Sequence, residues 1–127
     1  MIVQLIGYPH NDDYLWAKEC ALETAGLRVV NPPDDNWLHR IADAEHSPMH
    51  ELVFKFRLDD VPYWVSQELC RHHIGIEKYC RSQRNDRQNN YDRNEARQDA
   101  PVSLRITLNT QALINLAHKR LCGAATR

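Results

Sequence analysis

Hydrophobic and polar residues alternate in two stretches of the chain, which is the pattern of a strand buried on one face. In the stretch Glu51–Leu58 large apolar side chains occupy every second position, and mostly charged residues stand between them. The stretch Val102–Leu108 repeats the alternation with apolar residues at 102, 104, 106 and 108. The pattern therefore predicts two amphipathic strands, one near the middle of the chain and one near its end.

Helical periodicity and capping residues predict four helices beside these strands. The first follows Asn11-Asp12-Asp13 and runs for about three to four turns towards Gly26. The other three open at Asp34-Asp35, at Asp59-Asp60 with Pro62 in the first turn, and at Asn109 with Gly123 suited to the stop. Two shorter runs, Ile2–Ile6 and Leu27–Asn31, have the composition of short strands or extended segments.

Composition limits the architecture and the partners. A chain of 127 residues that is 43% hydrophobic supplies one core, so we predict a single domain over residues 1–127. A net charge of −1 argues against a general binder of nucleic acid or of membrane surfaces. The sequence shows no bilayer-spanning run, no secretory signal and no CxxC pair, so we expect a cytoplasmic protein with reduced thiols.

The stretch from Arg71 to Arg84 has lost apolar periodicity and brings arginines, imidazoles and hydroxyls together. Such a segment is better suited to binding than to core formation. Helical spacing directs His72 towards the interior and places Arg71 beside the packed face. Residues 80–100 are almost all polar, so we expect a mobile loop or a frayed helix unless a ligand or a neighbouring subunit orders it.

Several short motifs occur in a characteristic order. They are Ser47-Pro48, Phe54-x-Phe56, Arg71-His72-His73, Ser82-Gln83-Arg84, Ala96-Arg97 with Pro101, and Asn109 through Asn115 to Arg120. Each is weak alone, but the joint order and spacing resemble the flavin-dependent thymidylate synthases from about Glu45 to Cys122. The resemblance implies an α+β fold, an antiparallel sheet with packed helices, and a homotetramer that binds flavin and nucleotide between subunits.

The resemblance also implies a set of FAD-binding residues. These are Ser47, Arg71, His72, His73, Asn109 and Asn115. The family signature opens Arg-His-Arg, so His73 replaces its third residue, while Ile76 stands where the first serine belongs. Gln111 replaces an arginine that faces the flavin. FAD is the implied cofactor, with NADPH and methylenetetrahydrofolate as co-substrates.

The implied substrate is dUMP or a related uridine nucleotide, which would receive a one-carbon unit at C5. Its predicted binding residues are Ser82, Gln83, Arg84, Arg97 and Arg120. Ser82-Gln83-Arg84 matches the Ser-x-Arg that cradles the nucleotide, and Arg97 resembles an arginine contributed across the tetramer. Arg120 matches the arginine that holds and activates the pyrimidine, which makes it the predicted catalytic residue. Glu68 stands where the family usually has a nucleotide-contacting glutamine.

Elementary chemistry is consistent with these roles. A nucleotide monophosphate requires cationic donors, and a shielded charge-assisted bond from arginine contributes on the order of 1.5–3 kcal/mol. A fixed guanidinium beside a ring carbonyl stabilises an enolate-like pyrimidine, as proposed for Arg120. Side chains cannot carry hydride chemistry, so a redox cofactor is needed.

Plainer explanations exist for single residues. Arg71 can pair with Glu68 one turn back, and a histidine such as His72 is more often a core residue than a ligand contact. Arg120 near a helix C-terminus is favoured by the helix dipole alone. The arginine-rich loop has the composition of a solvated, mixed-charge surface.

Three other functions stay open. A metal site would draw on His46, His50, His72, His73 and Cys70, although we predict no bound metal. A thiol-based enzyme would use Cys80 with a nearby histidine. The strongest rival is a nucleotide- or flavin-binding homologue that has lost synthase activity, because the central signature is altered.

Overall fold

A computed structural model describes residues 1–84, 86–87, 92 and 94–123. The elements are β1 Ile2–Gly7, α1 Asn11–Glu23, α2 Asp35–Asp43, a 3₁₀ helix Ser47–Glu51, β2 Val53–Pro62, α3 Tyr63–Cys70, β3 Ile76–Cys80, β4 Pro101–Asn109 and α4 Thr110–Arg120. The strands form one four-stranded antiparallel sheet in the order β1-β2-β4-β3. The predicted α+β class, with an antiparallel sheet and helices, is confirmed.

The chain divides into two compact units. Unit 1 contains Met1–Ile6 and Lys55–Thr107, and unit 2 contains Gly7–Phe54 and Leu108–Arg127. The predicted single domain over residues 1–127 stays a prediction.

Alternating side chains of β2 and β4 build the core of unit 1. Leu104 is fully buried, and Val102 and Ile106 are about 5% exposed, whereas Arg105 between them is exposed. On β2, Leu58 is buried and the neighbouring Arg57 is exposed, and Val61 is buried three residues later, beyond the left-handed Asp60. The predicted alternation is confirmed for Val102–Leu108 and for the part of Glu51–Leu58 that lies in β2, whereas Glu51 belongs to the 3₁₀ helix.

The predicted start of α3 is wrong. Asp59 and Asp60 do not cap the helix, because β2 continues to Pro62 and the helix begins at Tyr63. Asp60 adopts a left-handed φ of 53°, which aspartate tolerates better than most residues. The first amides of α3 donate instead to a distant turn, from Tyr63 N to Ala100 O at 3.1 Å and from Trp64 N to Gln98 O at 3.1 Å. Backbone carbonyls therefore satisfy donors that a cap side chain would otherwise serve.

The structure contains a strand that the sequence pattern did not indicate. Residues Ile76–Cys80 form β3, and Ile76 is only 4% exposed. The stretch from Arg71 to Arg84 thus contributes to the core as well as to a surface. By contrast, Leu27–Asn31 is neither helix nor strand.

Unit 2 is organised around the 3₁₀ helix. The helices α1, α2 and α4 all contact this segment, and its Pro48 and Met49 are buried. Ala17 of α1, Ile41 of α2 and Ala112 of α4 are the buried residues of the three helices.

Two of the predicted helix caps are confirmed by hydrogen bonds. Trp37 N donates to Asp34 Oδ1 at 2.7 Å, and Ala112 N donates to Asn109 Oδ1 at 2.9 Å. The cap of α1 lies one residue earlier than predicted, at His10, whose backbone N donates to Asp13 Oδ2 at 2.8 Å. That helix ends at Glu23, ahead of Gly26, which has a left-handed φ of 66°.

The polar region 80–100 is only partly described. Its residues 85, 88–91 and 93, on which much of the prediction of a loop or frayed helix rests, lie outside the described residues. The described residues from 81 to 100 form no helix or strand.

Candidate functional site

A cavity of about 350 Å³ lies in unit 1. Its lining residues are Tyr63, Gln67, Cys80, Arg81, Ser82, Gln83, Arg84 and Arg87. Three of them, Ser82, Gln83 and Arg84, are the adjacent residues predicted from the sequence to bind a nucleotide. The structure therefore brings this predicted trio to one concave surface.

The cavity walls come from the start of α3 and from the chain leaving β3. Tyr63 and Gln67 are four residues apart, so they lie on the same side of α3. Opposite them, Arg81 N donates to Ser103 O at 2.9 Å, which extends the pairing of β3 with β4 by one residue. After Arg81 the chain leaves the sheet, and the following residues line the cavity.

Arg84 is held by the carboxylate two residues later. Its Nε lies 2.9 Å from Asp86 Oδ1, and its Nη2 lies 2.8 Å from Asp86 Oδ2. The pair uses one edge of the guanidinium and leaves the donors of Nη1 for another acceptor. Both side chains are about 60% exposed, so the pair orients Arg84 more than it stabilises the fold.

One cavity residue has an unsatisfied polar atom. Nε2 of Gln83 is buried and has no hydrogen-bond partner among the described residues. A buried donor without a partner costs about 1–3 kcal/mol, so this amide favours an acceptor from outside the chain.

Cys80 also lines the cavity, but it is poorly suited to nucleophilic attack. Burial raises the pKa of its thiol, and the neighbouring Cys70 adds to the rise, while a hydrogen bond with Ser66 lowers it. A raised pKa keeps the thiol protonated near neutral pH, and the thiolate is the reactive form. Burial of the thiol and the raised direction of its pKa therefore argue against the thiol-based enzyme.

Arg97 is not one of the cavity residues. Its side chain is 83% exposed and pairs with Asp99, with Nε to Oδ1 at 2.9 Å and Nη2 to Oδ2 at 3.0 Å. Ala100 N donates to Arg97 O at 3.0 Å, and the same turn accepts from Tyr63 N, which belongs to the cavity wall. Arg97 is thus anchored to the helix start that forms the cavity, with its guanidinium in solvent.

The predicted FAD residues of unit 1 lie just after α3. Arg71 Nη1 lies 2.8 Å from Glu68 Oε1, and the Arg71 side chain is 75% exposed. This ion pair is the plainer explanation for Arg71 that the sequence offers. His72 is half-buried, and its backbone carbonyl accepts a hydrogen bond from Lys78 Nζ. His73 is exposed.

The remaining predicted residues belong to unit 2. Ser47 is exposed at the start of the 3₁₀ helix, and Arg120 is the exposed last residue of α4. Asn115 and Arg120 are five residues apart and therefore point in directions about 140° apart around the helix axis. The predicted convergence of Arg84, Arg97 and Arg120 stays a prediction.

Asn109, which caps α4, and Asn115 within α4 have amide donors suited to a flavin ring. Asn109 Oδ1 caps the helix, and Asn115 Oδ1 accepts from Gln111 Nε2 at 3.4 Å. Because each oxygen is engaged locally, the amide NH₂ group is the part left to donate outwards. Such donors match the carbonyl oxygens of an isoalloxazine ring, so these residues fit the cofactor that the sequence resemblance implies.

The described part of the chain has neither a candidate metal cluster nor a membrane-spanning helix. Within it, no group of three or more His, Cys, Asp or Glu side chains could hold a metal ion. None of its helices combines the length and the apolar character needed to cross a membrane.

Sequence reasoning missed several cavity residues. Tyr63, Gln67, Arg81 and Arg87 line the cavity but were not selected. Gln67 is the neighbour of Glu68, which stands where the family usually has a nucleotide-contacting glutamine, and Glu68 pairs with Arg71. The spacing of Tyr63 and Gln67 on α3 is the signal that could have identified that wall.

The chain matches known proteins in fold and not in overall sequence. No family model and no curated protein matches the sequence. The structure matches thymidylate synthase X (ThyX) from Helicobacter pylori, solved with FAD and dUMP, with a TM-score of 0.74 and 15% identity. That match covers 100% of this chain and 86% of the other. A second structure of flavin-dependent ThyX from the same organism, complexed with FAD and dUMP, gives a TM-score of 0.72 and 13% identity, covering 99% and 87% of the two chains. The chain therefore has a ThyX-like fold over its full length.

Proposed function

We propose that the protein is a flavin-dependent enzyme that transfers a one-carbon unit to C5 of dUMP or a related uridine nucleotide. The observation that carries the proposal is the position of Ser82, Gln83 and Arg84 on one cavity, within a fold that matches ThyX over the full chain. The ThyX structures contain FAD and dUMP, and the cavity offers the cationic and amide donors that a nucleotide requires.

Each predicted residue has a chemical role in this proposal. Ser82, Gln83 and Arg84 bind the nucleotide, and Arg120 stabilises negative charge on the pyrimidine carbonyl as C5 becomes nucleophilic. Bound FAD supplies the redox chemistry that side chains cannot perform. The residues that would hold it are Ser47, Arg71, His72, His73, Asn109 and Asn115.

The proposal includes an assembly and two co-substrates. NADPH and methylenetetrahydrofolate are the proposed sources of reducing equivalents and of the one-carbon unit. The protein is proposed to act as a cytoplasmic homotetramer in which Arg97 reaches the nucleotide of a neighbouring subunit. Its exposure and its orientation by Asp99 are consistent with such a contact.

A second candidate is a homologue that binds nucleotide or flavin without synthase activity. Ile76 replaces the first serine of the signature, and it is buried in β3, where it contributes packing instead of a polar contact. Gln111 replaces an arginine, and its side chain donates to Glu45. The arginine that Gln111 replaces faces the flavin in the family that the sequence resembles.

A visible absorption spectrum of the purified protein, followed by titration with FAD and dUMP, separates the two candidates. The enzyme is expected to show a bound flavin band and to form dTMP when supplied with the proposed co-substrates. A colourless protein that binds dUMP but not FAD would favour the second candidate. A protein that binds neither ligand would contradict both.

The proposed role of Arg120 has its own test. Arg120→Ala is expected to lower turnover by at least about 100-fold, because a guanidinium that stabilises the transition state is lost. Lys119→Ala removes a neighbouring exposed cation from the same helix end and serves as the matched control. Equal turnover in the two variants would remove Arg120 from the mechanism.

A shared site predicts complementation between subunits. Arg97→Ala and Arg120→Ala should each be inactive alone, and mixing the two after reversible dissociation should restore part of the activity. If Arg97→Ala is inactive and the mixture stays inactive, the proposed contact across subunits is wrong.

A further inference from the structure

The three arginines of the cavity differ in how their charges are already neutralised. Arg84 is paired with Asp86 through two hydrogen bonds. Arg81 also has an interaction partner of its own. Arg87 forms no ion pair with any carboxylate of the described residues. Among the described cavity residues, Arg87 is therefore the cation most available to an incoming anion.

A backbone hydrogen bond links Arg87 to Arg84. Arg87 N donates to Arg84 O at 3.0 Å. Both arginines line the cavity. None of the described lining residues is an aspartate or a glutamate, so the cavity carries a net positive charge.

An independent observation indicates a hydrogen-bond acceptor as part of the ligand. The buried Nε2 of Gln83 has no partner among the described residues, although Gln83 lines the cavity. A donor in this situation is stabilised when a ligand oxygen accepts a hydrogen bond from it. The ligand that fits both observations has negative charge and several acceptor oxygens.

We propose that Arg87 is the principal anion-binding residue of this cavity, and that Gln83 Nε2 donates to the same group, the phosphate of a nucleoside monophosphate. A phosphate monoester carries a charge of about −1.5 to −2 and three acceptor oxygens. The cavity volume of about 350 Å³ falls within the usual range for small-molecule sites, so it has room for more than an inorganic ion. The inference rests on the proposed nucleotide function, and it assigns the phosphate to a residue that the family resemblance does not select.

The test measures binding to the full chain by isothermal titration calorimetry, with dUMP, deoxyuridine and inorganic phosphate as separate ligands. Arg87→Gln is expected to weaken dUMP binding about tenfold or more, which corresponds to about 1.4 kcal/mol. Deoxyuridine, which lacks the phosphate, should bind equally to the wild type and to this variant. Arg105→Gln is the matched control, because Arg105 lies on β4 outside the cavity and its pair with Asp59 is 3.5 Å long.

Gln83→Leu distinguishes a ligand-binding role of Gln83 from a role in stabilising the fold. Removing the buried unpaired amide should raise the midpoint of thermal unfolding of the free protein, while dUMP affinity falls by about threefold to tenfold. Arg87→Lys keeps a charge at the position and should retain part of the affinity. It also replaces Arg87→Gln in the test if that variant does not fold.

The outcomes distinguish this inference from the proposed function. Undiminished dUMP binding in Arg87→Gln, or in Arg87→Lys and Gln83→Leu together, overturns the inference while the nucleotide function stands. Binding of inorganic phosphate that depends on Arg87, in a protein that takes neither dUMP nor FAD, would show a phosphate site without a nucleotide and would overturn both the inference and the proposed function. A wild-type protein that binds none of these ligands overturns both.

Discussion

Asn109 has a structural task that can be separated from its proposed contact with flavin. Its Oδ1 accepts from Ala112 N at 2.9 Å and caps α4, while its NH₂ group is the donor proposed for FAD. Asn109→Ala is expected to lower the free energy of unfolding by about 1 kcal/mol, because the cap is lost. Asn109→Asp should stay within a few tenths of a kcal/mol of the wild type, since a carboxylate also caps and favours a helix N-terminus.

Urea unfolding measures the stabilities, and an FAD titration measures the other role of Asn109. Both variants should lose affinity for FAD, because neither keeps the NH₂ donor. FAD affinity equal to that of the wild type in Asn109→Asp would confine this residue to helix capping.

The ion pair between Arg97 and Asp99 should be detectable as a shift in the pKa of the Asp99 carboxylate. The hydrogen bond from Arg97 lowers the pKa of Asp99, with a smaller contribution from its charge. A lowered pKa in the folded protein means that the pair contributes stability above the unfolded pKa of about 3.9 and loses it as the pH falls through the folded pKa. Since both groups are exposed, this contribution is small.

A ¹³C NMR titration of the Asp99 carboxyl group tests the pair directly. Its midpoint should lie below about 3.9 in the wild type and return to about that value in Arg97→Gln. The same midpoint in both proteins would contradict the pairing.

At the scale of elements, β4 is a strand of unit 1 in which we expect a single large-to-small substitution to be costly. Leu104 is fully buried, and β4 lies between β2 and β3 in the sheet. Leu104→Ala should lower the free energy of unfolding by about 2–5 kcal/mol, because it removes buried methyl groups and leaves a cavity. Ser103→Ala, on the opposite face, should change it by no more than about 0.5 kcal/mol. Chemical denaturation compares the two variants, and similar values would mean that the faces of β4 are assigned incorrectly.

Elements governed by local pattern could be predicted from the sequence, and those governed by distant partners could not. The alternation in β2 and β4 and the caps at Asp34 and Asn109 depend on neighbouring residues, and all appear in the structure. The start of α3 depends on carbonyls of residues 98 and 100, which no local pattern reveals. β3 was missed because its five residues include only one that is buried and apolar, Ile76.

The candidate site also combines residues that a local motif identifies with residues that only the fold brings near. Ser82, Gln83 and Arg84 are contiguous, so a motif in the sequence was enough to select them. The cavity they line also needs Tyr63 and Gln67, which belong to a helix about 20 residues earlier in the chain. The role proposed for Arg87 depends on the Asp86 carboxylate that pairs with Arg84, and composition alone does not distinguish these two arginines.

At the scale of the whole molecule, we expect the proposed self-association to depend on β1. It is an edge strand, and Val3 and Leu5 are 56% and 51% exposed. Ile2 and Ile6, which point to the other face, are exposed to a similar degree. An exposed apolar edge strand is a common place for contact with another chain.

Val3→Lys combined with Leu5→Lys should reduce self-association while changing the free energy of unfolding by less than about 1 kcal/mol, because both positions are already exposed. Gln4→Lys adds a charge to the same strand at a polar position and serves as the control. Sedimentation velocity gives the assembly state of each protein. An unchanged tetramer in the double variant would exclude these two side chains from the interface.

The 3₁₀ helix at Ser47–Glu51 gives unit 2 an uncommon dependence on five residues. Because α1, α2 and α4 all contact it, a local opening around the buried Met49 should weaken the packing of all three helices. Their backbone amides should then exchange with deuterium at a common opening free energy, as one cooperative group, even though the helices are far apart in the chain.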